Sequence, residues 1–240
     1  MNKEEFCELI KEQGRKINIK FKEEQLEKFY KYMNILLEWN ENINLTAIIE
    51  PKEIILKHFI DSLTILKYLK EKNSMIDIGT GAGFPGIPIK IMREDVNITL
   101  VDSLNKRIKF LNHVISELNL INIEAIHSRI EDCGQNAKYR EKFDIVTSRA
   151  VANLSTLAEY MIPMARINGQ IVCMKGAECD TELEQSQKAI KVFGGKIKKV
   201  EKIVLPDGEN KRNIIIISKV KTTPKQYPRK AGKPLKEPIK

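Results

Sequence analysis

The sequence predicts an α/β protein with a parallel sheet covered by helices on both faces, and three observations carry that reading. From Ser74 onward, short β-branched runs alternate with helical stretches, the pattern of strands buried on both sides. A glycine cluster from Gly79 to Gly86 follows the first of those runs and precedes a helical stretch, where an open sheet binds nucleotide-like ligands. Near the end, two β-rich runs flank Pro206-Asp207-Gly208, a turn that makes a hairpin and hence antiparallel edge strands. Together they describe a Rossmann-like sheet with antiparallel C-terminal edge strands, preceded by a helical N-terminal extension.

The extension spans residues 1–73. Phe6, Leu9 and Ile10 mark a first amphipathic helix, and Leu26, Phe29, Tyr30, Met33, Leu36 and Leu37 repeat with a 3.6-residue period across 22–40. A third helix opens at Pro51, a favoured first-turn residue, and runs through Ile54, Ile55, Phe59, Leu63 and Leu66. The main domain spans 74–220. Its strands are expected at Met75–Ile78, Ile98–Val101, Ile121–Ile126, Phe143–Thr147 and Ile171–Met174, with a helix over Leu104–Leu118. The hairpin pairs Lys196–Leu205 with Asn213–Lys219. Residues 221–240 form a basic tail holding Pro224, Pro228, Pro234 and Pro238, which predicts a largely extended segment.

Composition excludes several classes. A chain of 240 residues that is 42% hydrophobic and 30% charged has ample material for a core. The longest purely aliphatic run, Ile214 to Ile217, falls far short of the roughly 20 apolar residues a membrane helix needs. The N-terminus has no apolar signal core, and Cys7, Cys133, Cys173 and Cys179 neither pair as C-x-x-C nor cluster with a histidine. The expectation is a cytoplasmic protein with reduced thiols, no metal, no membrane contact and no obligate protein partner. Net charge is +9, yet residues 1–73 are neutral and residues 219–240 carry eight basic side chains against Glu237 alone. Charge so concentrated attracts a polyanion, with nucleic acid the expected partner and a merely solubilising tail the alternative.

The glycine loop reads Asp77-Ile78-Gly79-Thr80-Gly81-Ala82-Gly83-Phe84-Pro85-Gly86. Its spacing formally matches a dinucleotide fingerprint, which needs helix amides turned toward a pyrophosphate. S-adenosylmethionine has no phosphate; it carries a sulfonium, an ammonium and a carboxylate, and Asp77 puts a carboxylate beside that cationic end. Asp102, closing the second strand, can take ribose hydroxyls of either cofactor. After the third strand, Ile130 and Glu131 offer an amide and an acid for the adenine edge. Arg149 and Lys175, after the fourth and fifth strands, are either site residues or surface ion pairs. His58 and Asp61 share a helix face, at a pocket mouth or as a satisfied polar pair. Lys106 and Arg107 read as a solvated face.

Some chemistries leave marks that are missing. Attack on pyrimidine C5 needs a thiolate in a Pro-Cys or Thr-Cys loop, and neither Cys133 nor Cys173 sits in one. Exocyclic amine methylation usually shows Asn/Asp-Pro-Pro-aromatic after the fourth strand, where this chain has Thr147-Ser148-Arg149-Ala150-Val151. Guanine N7 has a free lone pair and no proton to remove, so positioning suffices.

In order along the chain stand Trp39-Asn40, Asn44-Leu45-Thr46, His58-x-x-Asp61-Ser62-Leu63, the Asp77–Gly86 loop, Asp102-Ser103, Lys106-Arg107, Ser148-Arg149-Ala150-Val151, Lys175-Gly176 and Tyr227-Pro228-Arg229-Lys230-x-Gly232-x-Pro234. From about Trp39 to Pro238 this resembles the bacterial glucose-inhibited division protein B family, the small-subunit ribosomal RNA guanine-N7 methyltransferases. The resemblance implies a Rossmann-like S-adenosylmethionine-dependent methyltransferase fold and that cofactor as methyl donor. It implies 16S ribosomal RNA, or the small ribosomal subunit, as substrate, with a guanine of the 530 loop as target. Gly79, Phe84, Ile130, Glu131 and Arg149 fall on the family's cofactor positions, beside Asp77, Gly81 and Asp102. Where the family more often has Ala before that Glu, this chain has Ile130. No catalytic residue is assigned, and Arg229, Lys230 and Lys233 are expected to contact RNA. A small-molecule methyltransferase or dinucleotide enzyme on the same fold, and an RNA-binding protein without turnover, are the other readings.

Overall fold

The computed structural model describes residues 1–149 and 152–239; Ala150 and Val151, part of one family motif, lie outside the described residues. Seven strands form one sheet: β1 Ser74–Ile78, β2 Asn97–Asp102, β3 Ile123–His127, β4 Phe143–Arg149, β5 Ala165–Lys175, β6 Gly195–Val204 and β7 Lys211–Lys219. Their spatial order is β3-β2-β1-β4-β5-β7-β6. Pairing is parallel from β3 to β5 and antiparallel at β5–β7 and β7–β6. The α/β class and the antiparallel C-terminal edge are therefore as the sequence predicts. The hairpin's second strand, β7, is the one that docks on β5.

The helices are α1 Lys3–Lys16, α2 Glu23–Ile43, α3 over residues 51–63, α4 Gly86–Met92, α5 Asn105–Glu117, α6 Ile130–Gln135, α7 Leu154–Met161, α8 Asp180–Val192 and the single turn α9 Lys233–Lys236. Strand side chains alternate between two cores. Met75, Val172, Met174, Ile214 and Ile216 point to the face covered by α1 to α5. Ile76, Ile171, Cys173, Ile215 and Ile217 point to the face covered by α6, α7 and α8. The isoleucine run 214–217 thus feeds both cores from one strand. The N-terminal helices are no detached module, because Phe6, Phe29 and Phe59 are fully buried in the first core together with sheet residues.

Three sequence expectations shift. The third strand begins at Ile123, not Ile121, because Asn122 takes φ 55°, a left-handed turn conformation that ends strand geometry, and leaves Ile121 in solvent. The third helix is not regular: Ile54–Ile60 is a π-helical stretch between α-helical turns. The tail is not free and extended. Arg140 donates to the carbonyls of Thr223, Pro224 and Tyr227. Thr223 and Pro234 are buried, and Lys219, itself buried, bonds Glu141, the Ile162 carbonyl and Thr223. Backbone carbonyls of a proline-rich segment have no sheet partners, so a guanidinium with five donors satisfies them instead.

Candidate active site

The loop after β1 turns back on itself at Gly79 and Gly81, with φ 63° and 62°, where a side chain would be strained. Asp77 lies beneath this turn, fully buried, its Oδ2 accepting from Thr80 Oγ1 at 2.7 Å and from Gly86 N at 2.9 Å. Gly86 opens α4, so the carboxylate takes the place at the helix start that a pyrophosphate would need. That fits a phosphate-free cofactor. Burial pushes the Asp77 carboxyl up to about 7, against the opposing pull of its two hydrogen bonds.

Above the turn opens a cavity of about 410 Å³ at the carboxyl ends of β1, β2 and β4. Gly79, Gly81, Phe84, Asp102, Ile130 and Arg149 all line it. Asp77 and Glu131 do not: the first underpins the loop, and the second turns to the tail, its Oε1 accepting from Gly232 N at 2.9 Å. Asp102 closes β2 with Oδ1 accepting from Leu104 N and Oδ2 from Gly81 N. Ile130 is the first residue of α6, where backbone amides have no partner within the helix.

Arg107 is a correction to the sequence reading. It is no solvated face residue but lines the cavity, donating through Nη1 to Asp102 Oδ2 at 3.1 Å; Lys106 beside it is exposed. The first turn of α5 overhangs the end of β2, which a helical wheel does not reveal.

Opposite Asp102 stands a clamp built from distant segments. Arg149, at the end of β4, donates to the Lys57 carbonyl at 2.8 Å and to Asp61 Oδ2 at 3.3 Å, and its Nη2 lies 3.0 Å from His58 Nδ1. Its guanidinium carbon sits 5.0 Å from the centre of the Phe84 ring, on which His58 also stacks at 4.4 Å. Thr46 Oγ1 meets the other ring nitrogen of His58 at 2.9 Å. Burial and the neighbouring Arg149 hold His58 down at about 3, so the ring is neutral. The π turn of α3 presents Lys57, His58 and Asp61 together to one guanidinium. His58 thus lines the cavity, while Asp61 reaches it only through Arg149. Leu45 and Thr46 also line the cavity, and Tyr32, from α2, donates to the Ala82 carbonyl within the loop; these contributions were not read from the sequence as site residues. Lys175 Nζ bonds Glu182 and the Ala152 carbonyl.

A glycine turn after the first strand, an acid ending the second and an open cavity between them define the class, a Rossmann-like methyltransferase fold. Solved structures of that class superpose on the chain. A SAM-dependent methyltransferase from Aquifex aeolicus matches with a TM-score of 0.54 at 16% identity, over 72% of this chain and 96% of that one. The 16S rRNA (adenine(1408)-N(1))-methyltransferase from Catenulisporales acidiphilia, solved with SAM, matches at 0.52 and 12% identity, over 64% of this chain and 88% of that one. The family model for rRNA small subunit methyltransferase G matches residues 25–215. A ribosomal RNA small subunit methyltransferase G from Desulforamulus reducens is 53% identical over 96% of this chain and 97% of its own length, and one from Clostridium beijerinckii is 50% identical over 98% and 99%. The chain belongs to the rRNA small subunit methyltransferase G family and is a methyltransferase.

Among the described residues, no helix is long and apolar enough to cross a membrane, and no group of three His, Cys, Asp or Glu is arranged to hold a metal.

Proposed function

We propose that the chain transfers a methyl group from S-adenosylmethionine to N7 of a guanine in the 530 loop of 16S ribosomal RNA, in the cytoplasm. The cavity carries this reading: a glycine turn with Asp77 at the helix start and Asp102 on one side, the half-buried Arg149 clamp on the other, in a chain of this family.

The residues suit the cofactor. Asp102 stands where ribose hydroxyls would be accepted, the Ile130 amide where the adenine edge would lie, and the open turn at Gly79 and Gly81 admits close backbone approach. When bound, the sulfonium supplies an electrophilic methyl group. No protein base is required, since a guanine N7 lone pair carries no proton, and the neutral, hydrogen-bonded His58 is not poised to act as one. The protein contributes orientation: Phe84, His58 and Arg149 form a rigid wall whose polar groups are held from three chain segments. For RNA, the tail offers Lys230 and Lys233, whose side chains reach solvent, while Arg229 is paired with Glu159.

The test uses small subunits and naked 16S RNA from cells lacking the modification. Methyl transfer followed by borohydride and aniline cleavage should map 7-methylguanine to the 530 loop. Single-turnover rates at saturating cofactor should be flat from about pH 6.5 to 8.5, the range in which a histidine or other tuned base would titrate. A methyl group on N1, N2 or a pyrimidine, or a log-linear rise of rate with pH, overturns the reading.

A further inference from the structure

A second cavity, of about 330 Å³, adjoins the first and shares His58 and Arg149 with it as a common wall. Its apolar sides come from Ile48 and Met174, and its polar end from Asp61 and Arg212. Neither Asp61 nor Arg212 touches the first cavity. Enzymes that modify a base within folded nucleic acid take it out of its stack, seat it between apolar groups and read its edge by hydrogen bonds.

The cations around the second cavity differ in what they have left to give. Arg149 is spent on the Lys57 carbonyl, Asp61 and His58. Lys175 is spent on Glu182 and the Ala152 carbonyl, and Lys57 pairs with Glu53. Arg212, at the start of β7, is anchored through Nε to Asp61 Oδ2 at 3.2 Å and through Nη1 to the Lys211 carbonyl at 2.9 Å. Among the described residues its Nη2 has no hydrogen-bond partner, and the side chain is 21% exposed. One carboxylate oxygen thus fixes two guanidiniums, one in the wall between the cavities and one at the end of the second.

We infer that the second cavity seats the target base and that Arg212, positioned by Asp61, donates to guanine O6. The inference rests on the guanine-N7 reading above and adds its specificity. O6 and N7 share one edge of guanine, so a donor on O6 keeps N7 at the wall that adjoins the cofactor cavity. Adenine has an amine in place of O6, and two sets of donors would face each other, the arrangement that rejects a wrong base. A site built to bond one polar group discriminates steeply against analogues that lack it.

The experiment places guanine, inosine, 2-aminopurine or adenine at the target position of otherwise identical 16S RNA, as naked RNA and in reconstituted subunits. Inosine keeps O6 and lacks the 2-amino group; 2-aminopurine does the reverse. Wild-type kcat/KM should be similar for guanine and inosine and lower by roughly 5- to 150-fold for 2-aminopurine, the range that about 1–3 kcal/mol of base-edge discrimination gives. Arg212→Gln should bring guanine down to near the 2-aminopurine level, with Arg212→Lys between, and cofactor affinity by calorimetry unchanged. Asp61→Asn should narrow the same guanine to 2-aminopurine ratio, which a general loss of stability would not do. Inosine refused as strongly as 2-aminopurine, or a ratio unmoved by Arg212→Gln, overturns the inference while leaving the N7 reaction standing. A wild-type product other than 7-methylguanine removes the reaction itself, and this assignment with it.

Discussion

Gly79 takes φ 63° in the cavity wall, a left-handed conformation in which a β-branched side chain is strained. Gly79→Val should abolish cofactor binding in calorimetry while circular dichroism stays that of the parent; a folded variant with undiminished affinity would move the cofactor elsewhere. Asp77 shows a different residue-scale effect. With its carboxyl pushed up to about 7 by burial, the folded chain holds a proton that the unfolded chain releases near pH 4. Its contribution to stability is therefore full below about pH 4 and is lost as pH rises through 7, to a ceiling of about 4 kcal/mol. Urea midpoints of wild type and Asp77→Asn should diverge over that window, the wild type declining more steeply, and parallel profiles would refute the assignment. Gly79, Gly81, Phe84, Asp102, Ile130 and Arg149 were legible because each sits at a strand end or in the turn after it, positions that an alternating pattern locates. Arg107 was not, because its role depends on how α5 overhangs β2. Nor could the sequence show that Arg149 would gather His58, Asp61 and the Lys57 carbonyl from some ninety residues away.

The tail is the element whose behaviour departs furthest from its composition. Proline and lysine suggest an extended, solvated strand, yet Arg229 makes a two-pronged contact with Glu159, Nε to Oε1 at 2.9 Å and Nη2 to Oε2 at 2.7 Å. Glu159 is 1% exposed, so removing the guanidinium leaves a buried charge unpaired. Arg229→Ala should cost about 3–5 kcal/mol in urea denaturation, whereas Lys230→Ala should cost almost nothing. Equal, small effects would mean the pair is dispensable. Periodicity announced the strands and the long helices well, since burial on both faces demands it. It missed the π turn in α3, where the backbone widens so that Lys57 and His58 meet Arg149 while Ile54, Ile55, Phe59 and Ile60 stay buried. It also missed the tail's docking, which depends on carbonyls and on Arg140, and backbone groups leave no trace in a hydropathy pattern.

At the scale of the whole molecule, charge and packing are divided between the ends of the chain. The neutral N-terminal helices close one face of the sheet, while the basic C-terminal segment crosses the other and reaches α6 and α7. If RNA phosphates meet Lys230 and Lys233, replacing both by alanine should flatten the log–log dependence of RNA affinity on salt by about 0.7–0.9 for each phosphate no longer neutralised. Fold stability and cofactor affinity should not move; an unchanged slope would take those lysines out of the interface. The docking of the tail has a thermodynamic corollary. Ile130 lines the first cavity, and its neighbour Glu131 holds the amide of Gly232, between Lys230 and Lys233. A ligand in that cavity and an RNA held by those two lysines would form a closed cycle of equilibria. Whatever factor RNA applies to the dissociation constant of S-adenosylhomocysteine, that ligand must apply to RNA in return.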